Sequence, residues 1–226
     1  MTSTTWKLKE LEKWIETNRP EDKQTAALPR SLSRSSFIIK YHANLAKEAF
    51  GEFNKEADSH RSMMVAMLSM KPDFAMAALA HEANIIATIH TVRNYADIFA
   101  QLVNSLAMAK PLKEKDCTFG RVASGIPESE LKQNMQDLNS SYWFRYLAAF
   151  SNISKHRRLI HSNPSVNFEE DSSGLKVEEF TYAFSDKEPE TTFSQCWGHD
   201  LLEEAYNVYR RILELGQQLN AQLFHS

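Results

Sequence analysis

The chain has 226 residues, 42% of them hydrophobic and 11% aromatic, which suffices for an ordinary core and excludes global disorder. Its formal net charge of −3 excludes the broad basic excess of a dedicated nucleic-acid-binding domain and leaves open only a local basic patch. A mixed-charge N-terminal stretch without signal-peptide character, two widely separated cysteines (Cys117 and Cys196), and no run approaching ~20 apolar residues lead us to expect a cytoplasmic protein with reduced thiols and no membrane partner.

In chain order, Leu8, Leu11, Trp14 and Ile15 predict a short helix over Thr5–Thr17. Asn18-Arg-Pro-Glu-Asp and the Ser/Arg-rich stretch to Ser36 read as a surface loop. A long helix is predicted from Phe37 to Ala66, with Ile38, Tyr41, Leu45 and Phe53 inward. Lys71-Pro72-Asp73 ends it, and Asp73 is placed to cap the next helix, Phe74–Ala109. That segment carries only Glu82, Arg93 and Asp97 as formal charges. At average charge density roughly nine would be expected, so the helix reads as central and surrounded.

Lys110–Ser129 is expected to be a loop, followed by helix from Glu128 to Ile160 with a kink near Asn139-Ser140-Ser141. From Ser165 to Cys196 the period changes to two: Val166 and Phe168, a turn at Asp171–Gly174, then Leu175 and Val177. Phe180, Tyr182 and Phe184 follow one place out of step, as a β-bulge at Glu178-Glu179 would cause, and a third short strand fits Thr192-Phe193. The last helix is predicted after Asp200, which forms an Asp-x-x-Glu capping box with Glu203. Its stripe of Leu201, Ala205, Val208, Ile212, Leu215, Leu219 and Leu223 is suited to docking on the bundle or pairing with another subunit. The expected fold is mainly all-α: a single domain over residues 1–226, a multi-helix bundle with a β-hairpin insert at about 165–196 before the C-terminal helix.

Several chemistries are disfavoured by what the motifs lack. Gly120-Arg-Val-Ala-Ser-Gly125 has the first spacing of a P-loop but continues Ile126-Pro127 where Lys-Ser/Thr is needed. His81-Glu82 lacks the second histidine of a zincin, and Cys196-Trp-Gly-His199 lacks a second ligand pair. No metal and no cofactor is therefore expected.

Two helical stripes remain. On the central helix, His90, Arg93, Asn94, Asp97, Gln101 and Asn104 share one face, opposite Ile85, Val92, Phe99, Val103 and Leu106. A solvent-facing stripe normally recruits Lys and Glu, so this one suits a polar cleft or a subunit interface as well as an ordinary surface. On the helix from Ser141 to Ile160, Arg145, Asn152 and His156 share a strip left open by Ala148 and Ala149. Arginine, asparagine and histidine there can hold an anionic group and supply a proton donor or acceptor near neutral pH. Lys155, Arg157 and Arg158 add charge suited to phosphate. A basic helix C-terminus opposing the helix dipole accounts for Lys155–Arg158 equally well, though not for Arg145 and Asn152 further in. Arg93, Asp97 and Asn104 facing Arg145, Asn152 and His156 is the expected pairing, as a structural network or as a site.

The tract Asn152-x-x-Lys155-His156-Arg157, at the end of a helix in a low-charge bundle, resembles HEPN-like proteins, over about Phe74–His161. The resemblance implies a helical bundle, commonly dimeric, acting on RNA or in nucleotide-linked stress or phage defence, in many members as a ribonuclease. The family's nuclease signature, Arg followed after four to six residues by His, is not matched: Arg157 to His161 leaves three residues between them and Arg145 to His156 leaves ten. In the catalytic version implied here, His156 is the acid/base group, Arg145 or Arg157 holds the scissile phosphate, and Asn152 orients histidine or substrate. Attack by the 2′-hydroxyl then needs no metal. The binding residues would be Arg93, Asp97, Asn104, Lys155 and Arg157, and the partners a second copy of the chain, RNA or a nucleotide. The alternative is a non-enzymatic interaction or ligand-binding module with a protein partner.

Overall fold

The computed structural model describes residues 5–51, 53, 59–69, 71–169, 172–186 and 189–224. Among them the fold is mainly α-helical, with a small antiparallel strand set before the last helix. The helices are α1 (Leu8–Asn18), α2 (Lys23–Glu48), α3 (Ser59–Leu68), α4 (Pro72–Ala107), α5 (Phe119–Gly125), α6 (Glu130–Ser140), α7 (Tyr142–His156) and α8 (Gly198–Phe224). The strands are β1 (Ser162–Asn167), β2 (Ser172–Val177), β3 (Phe180–Tyr182), β4 (Thr191–Phe193) and β5 (Cys196–Trp197). The chain forms two compact units: Met1–Ile38, Thr91–Arg145 and Tyr206–Ser226 make the first, Ile39–His90 and Tyr146–Ala205 the second.

The first unit shows why the Ser/Arg-rich stretch is helix and not the expected loop. Thr25, Leu32 and Ser35 fall on one buried face of α2, while Ser31 and Arg34 point outward. Asp22 starts the helix by accepting from the Thr25 backbone N–H at 3.0 Å, an N-cap contact. The expected loop at Lys110–Ser129 likewise contains a 3₁₀ turn, Glu114–Asp116, and α5. Thr118 caps α5 through its side chain, and Phe119, Val122 and Ala123 are buried beneath it. The expected kink is a full break: Ser141 is extended, its N–H donating to Leu138 and its carbonyl accepting from Arg145, so α6 ends and α7 begins on one residue. The stripe of α8 is buried from Val208 to Leu219 and docks within the chain. Trp6 lies against it at Gly216, where a Cβ would collide with the indole, and donates to the Asn220 side chain at 3.0 Å.

In the second unit, helix ends at Glu48 where one unbroken helix to Ala66 is expected; the turn follows at Gly51, and α3 restarts at Ser59. Pro72 occupies the first position of α4 and Asp73 its first turn, so Asp73 favours the helix N-terminus by charge and is not its cap. The expectation of a surrounded helix is corrected: α4 buries one side, with Ile89, Val92 and Phe99 fully covered, but Met76 and Leu79 in its first half and Asn94 and Asp97 in its second are exposed. Phe50, Met63, Ala66, Phe74 and Leu175 form a core cluster here.

The strands form an antiparallel sheet in the order β1-β2-β5, with Ser162↔Val177 and Asn167↔Ser172 in register, and a two-stranded sheet of β3 and β4. The expected turn at Asp171–Gly174 is corrected: Asp171 lies outside the described residues, and Ser172–Gly174 are already strand. The slip at Glu178-Glu179 is not a bulge. Val177 ends one sheet and Phe180 begins the other, so the change of phase is a change of sheet. Asp200 is the third residue of α8, inside its first turn, and so does not cap it.

Candidate functional site

In the second unit α7 buries Tyr146, Leu147, Phe150 and Ile153 and turns Asn152, Lys155 and His156 to solvent. The helix closes at His156, with the N–H groups of Arg157 and Arg158 both donating to the Ile153 carbonyl. Positive side chains therefore crowd the last turn, where the carbonyl ends of the helix favour them.

Asn152 donates its amide N–H to the Tyr182 hydroxyl at 3.0 Å, and the Arg157 guanidinium lies over the same ring, 5.4 Å from its centroid. Arg158 pairs with Glu178, which also accepts from the His161 backbone N–H at 3.2 Å. The Arg158 hydrogen bond is the chief reason the Glu178 carboxyl is held below its ordinary range, with His161 adding to it. Arg158 is thus neutralised locally, while Lys155 and His156 stay exposed on the same turn.

Beneath this surface His90 Nδ1 meets the buried Ser151 hydroxyl at 2.9 Å. Burial, and secondarily the Lys155 charge, push the His90 pKa below its ordinary 6.5, so the ring is neutral at physiological pH. His81 is neutral for a similar reason. Its Nδ1 sits 2.7 Å from the Ala46 carbonyl, which can only accept, so the proton is on Nδ1; burial lowers its pKa. The spacing rules that single out His90 carry no signal for Ser151, because the two meet only when α4 and α7 pack. Nor does any pattern in the sequence link Tyr182 to Asn152.

In the first unit the polar stripe of α4 has partners of its own. The Asn104 amide clasps Leu112 from both sides, donating to its carbonyl at 3.1 Å and accepting from its N–H at 2.8 Å. Gln101 donates to the Glu114 carbonyl at 3.3 Å. With Asp22, Thr25, Ser105 and Glu114 they line a cavity of about 330 Å³. Arg93 lies over the Phe144 ring at 4.7 Å and pairs with Asp97 at 3.5 Å, the pair expected from their spacing. Its side chain is 17% exposed, its Nη1 has no hydrogen-bond partner among the described residues, and burial lowers its pKa against the opposing charge of Asp97. Burial, helped by Asp97, also pushes the Cys117 thiol up to about 11. Arg145 is half-buried and belongs to this unit.

Of the sequence-derived site residues, Asn152, Lys155, His156 and Arg157 therefore lie in the second unit and share one helix end. Arg93, Asp97, Asn104 and Arg145 lie in the first. Among the described residues no group of three or more His, Cys, Asp or Glu side chains is arranged to hold a metal ion, and no single helix is long and apolar enough to cross a membrane. Comparisons with protein-family models, with curated proteins and with solved structures give no match.

Proposed function

We propose that the chain is an RNA-binding, HEPN-like helical protein that holds the phosphodiester backbone at the C-terminal turn of α7. The observation that carries this reading is one exposed turn with Lys155 and His156 outward while Asn152 and Arg157 converge on Tyr182. Cations on a solvent-facing turn bind phosphate by charge and counterion release, with no enclosed cavity required. The near-neutral chain is compatible with this, because the positive charge is concentrated locally. A role in nucleotide-linked stress or phage defence, and action as a homodimer, belong to the same reading.

Cleavage is the second reading, favoured by the place of His156 between Lys155 and Arg157 and one turn from Asn152. The histidine would take the proton of the RNA 2′-hydroxyl as that oxygen attacks phosphorus. The P–O5′ bond breaks, a 2′,3′-cyclic phosphate forms, and the proton is returned to the leaving 5′-oxygen. The paired cations would hold the non-bridging oxygens, and no metal enters.

The test is incubation of labelled RNA with the protein in EDTA, read on separate gels for retention and cleavage, beside folded Lys155→Ala/Arg157→Ala and His156→Ala proteins. Retention lost in the double variant supports binding at α7. Cleavage lost in His156→Ala adds catalysis. No retention of any RNA at low salt sinks the proposal and leaves the interaction-module alternative.

A further inference from the structure

An aromatic ring from β3 lies beside the turn that carries the positive charge of α7, and this inference rests on the RNA-binding reading above. Tyr182 ends β3, opposite Thr191 of β4. Along β3 the side chains alternate, so Tyr182 shares a side of the strand with Phe180, which is buried against Tyr146, Phe150 and Phe193. The ring is linked to this aromatic core through Phe184, which lies beside both Tyr182 and Phe193. Its hydroxyl accepts from Asn152, its neighbour Phe184 meets it edge to face at 5.0 Å, and Arg157 lies over one face. It is nevertheless only partly buried. Just beyond the tract, Leu159 is 56% exposed.

Cations interleaved with an aromatic ring and an exposed apolar side chain are what a single strand requires: charge for its backbone and a flat surface for an unstacked base. A duplex hides the faces of its bases and has no use for the ring.

We propose that Tyr182 is the base-stacking platform of this surface, so that the surface takes single-stranded RNA in preference to duplex. A base displaces Arg157 from the ring, and the freed guanidinium turns to a phosphate. The exchange is favourable because a base stacked on an aromatic ring is a stronger contact than a solvent-exposed cation–π pair.

Fluorescence polarisation tests it, with one short unstructured labelled RNA and the same strand annealed to its complement, against wild type, Tyr182→Ala and Tyr182→Phe. The single strand is expected to bind about tenfold or more tighter than the duplex, and Tyr182→Ala to remove about tenfold or more of that affinity. The salt dependence should not change, since no charge is lost. Tyr182→Phe keeps the ring and should keep most of the affinity. Should Tyr182→Ala fail to fold, Tyr182→Leu preserves the apolar bulk without the flat face and is read instead. Equal affinity for strand and duplex overturns the inference, as does an alanine variant within about twofold of wild type. Absence of binding to both RNAs removes the reading of α7 itself, an outcome distinct from binding that ignores Tyr182.

Discussion

The polar stripe of α4 from Arg93 to Asn104, in the first unit, and the basic end of α7, in the other, have the same appearance in sequence. Each is a run of Arg, Asn and His or Gln on one face of a helix poor in charge. The structure uses them differently. Asn104 and Gln101 bind backbone groups of the segment just after the helix, and Arg93 is covered by Phe144. At the end of α7, Asn152, Arg157 and Arg158 have partners within the chain, whereas Lys155 and His156 project from the surface. Scarcity of charge is not by itself a sign of burial, since Met76 and Leu79 of α4 are exposed, and the polar residues of such helices divide into those that fasten a neighbouring segment and those that can receive a ligand. Burial and the identity of the partner separate the two kinds.

The largest effect that separates them is expected at Asn104. Asn104→Ala removes the amide that satisfies both the Leu112 N–H and its carbonyl, two part-buried hydrogen bonds, and should destabilise the protein by about 1–3 kcal/mol in urea unfolding. Its RNA affinity at temperatures where it is folded should equal that of wild type. A fully stable Asn104→Ala protein that no longer binds RNA would reverse the assignment of the stripe. Next in size is Lys155→Ala combined with Arg157→Ala. Stability should barely change, while RNA affinity falls about tenfold or more and the slope of log K against log salt decreases by about two. An unchanged slope would mean that the phosphates lie elsewhere.

Arg93 sharpens the comparison from the buried side. Replacing a largely buried cation by an apolar side chain of similar length is close to neutral when packing is kept, so Arg93→Met should alter stability by about 1 kcal/mol or less. It should leave RNA affinity intact. If Arg93→Met keeps its stability and loses RNA, the orphaned Nη1 marks a ligand contact, and the first unit shares in binding.

What is legible in the sequence follows the same division. Repetition at three and four residues places α8 and its buried stripe, because Leu201, Ala205, Val208, Ile212, Leu215 and Leu219 recur on one periodic face. The tract Asn152–Arg157 stands out because its residue types are chemically unusual together. The helix over Lys23–Ser36 is not legible: serine and arginine read as loop by composition, and only the buried positions Thr25, Leu32 and Ser35 reveal the face. The clasp of Asn104 on Leu112 is also hidden, since its partners are backbone atoms and leave no mark on side-chain pattern. Tyr182 reads as one member of an alternating strand. Its meeting with α7 depends on the chain changing sheets between Val177 and Phe180, which the sequence registers only as a slip in phase.

A smaller effect concerns pH. His81 and His90 both have folded pKa values below the ordinary 6.5 because burial opposes their charge. Below that value the unfolded chain takes up protons before the folded one does, so stability rises with pH through this window. Their contribution is complete above about pH 7 and is lost as pH falls through 6.5 towards the folded values. Urea midpoints between about pH 7 and pH 5 should therefore decline, and His90→Asn should flatten the decline. An identical slope in that variant would remove His90 from the account.

The smallest stability change is expected at His156, and for that reason it is the most informative residue of the tract. An exposed side chain at a helix C-terminus contributes mainly through the helix dipole, so His156→Ala should shift unfolding by about 0.5 kcal/mol or less. Any change in RNA chemistry then cannot be ascribed to folding. If metal-independent cleavage by wild type disappears in this variant while retention of RNA persists, His156 acts on the reacting atoms and α7 is an active site. If RNA is retained equally by both and cut by neither, the turn is a binding surface in which charge from Lys155 and Arg157, rather than proton transfer, is the functional element. If His156→Ala instead lowers stability by several kcal/mol, the residue is structural, and the contrast between an internally committed stripe on α4 and an open one on α7 fails at its centre.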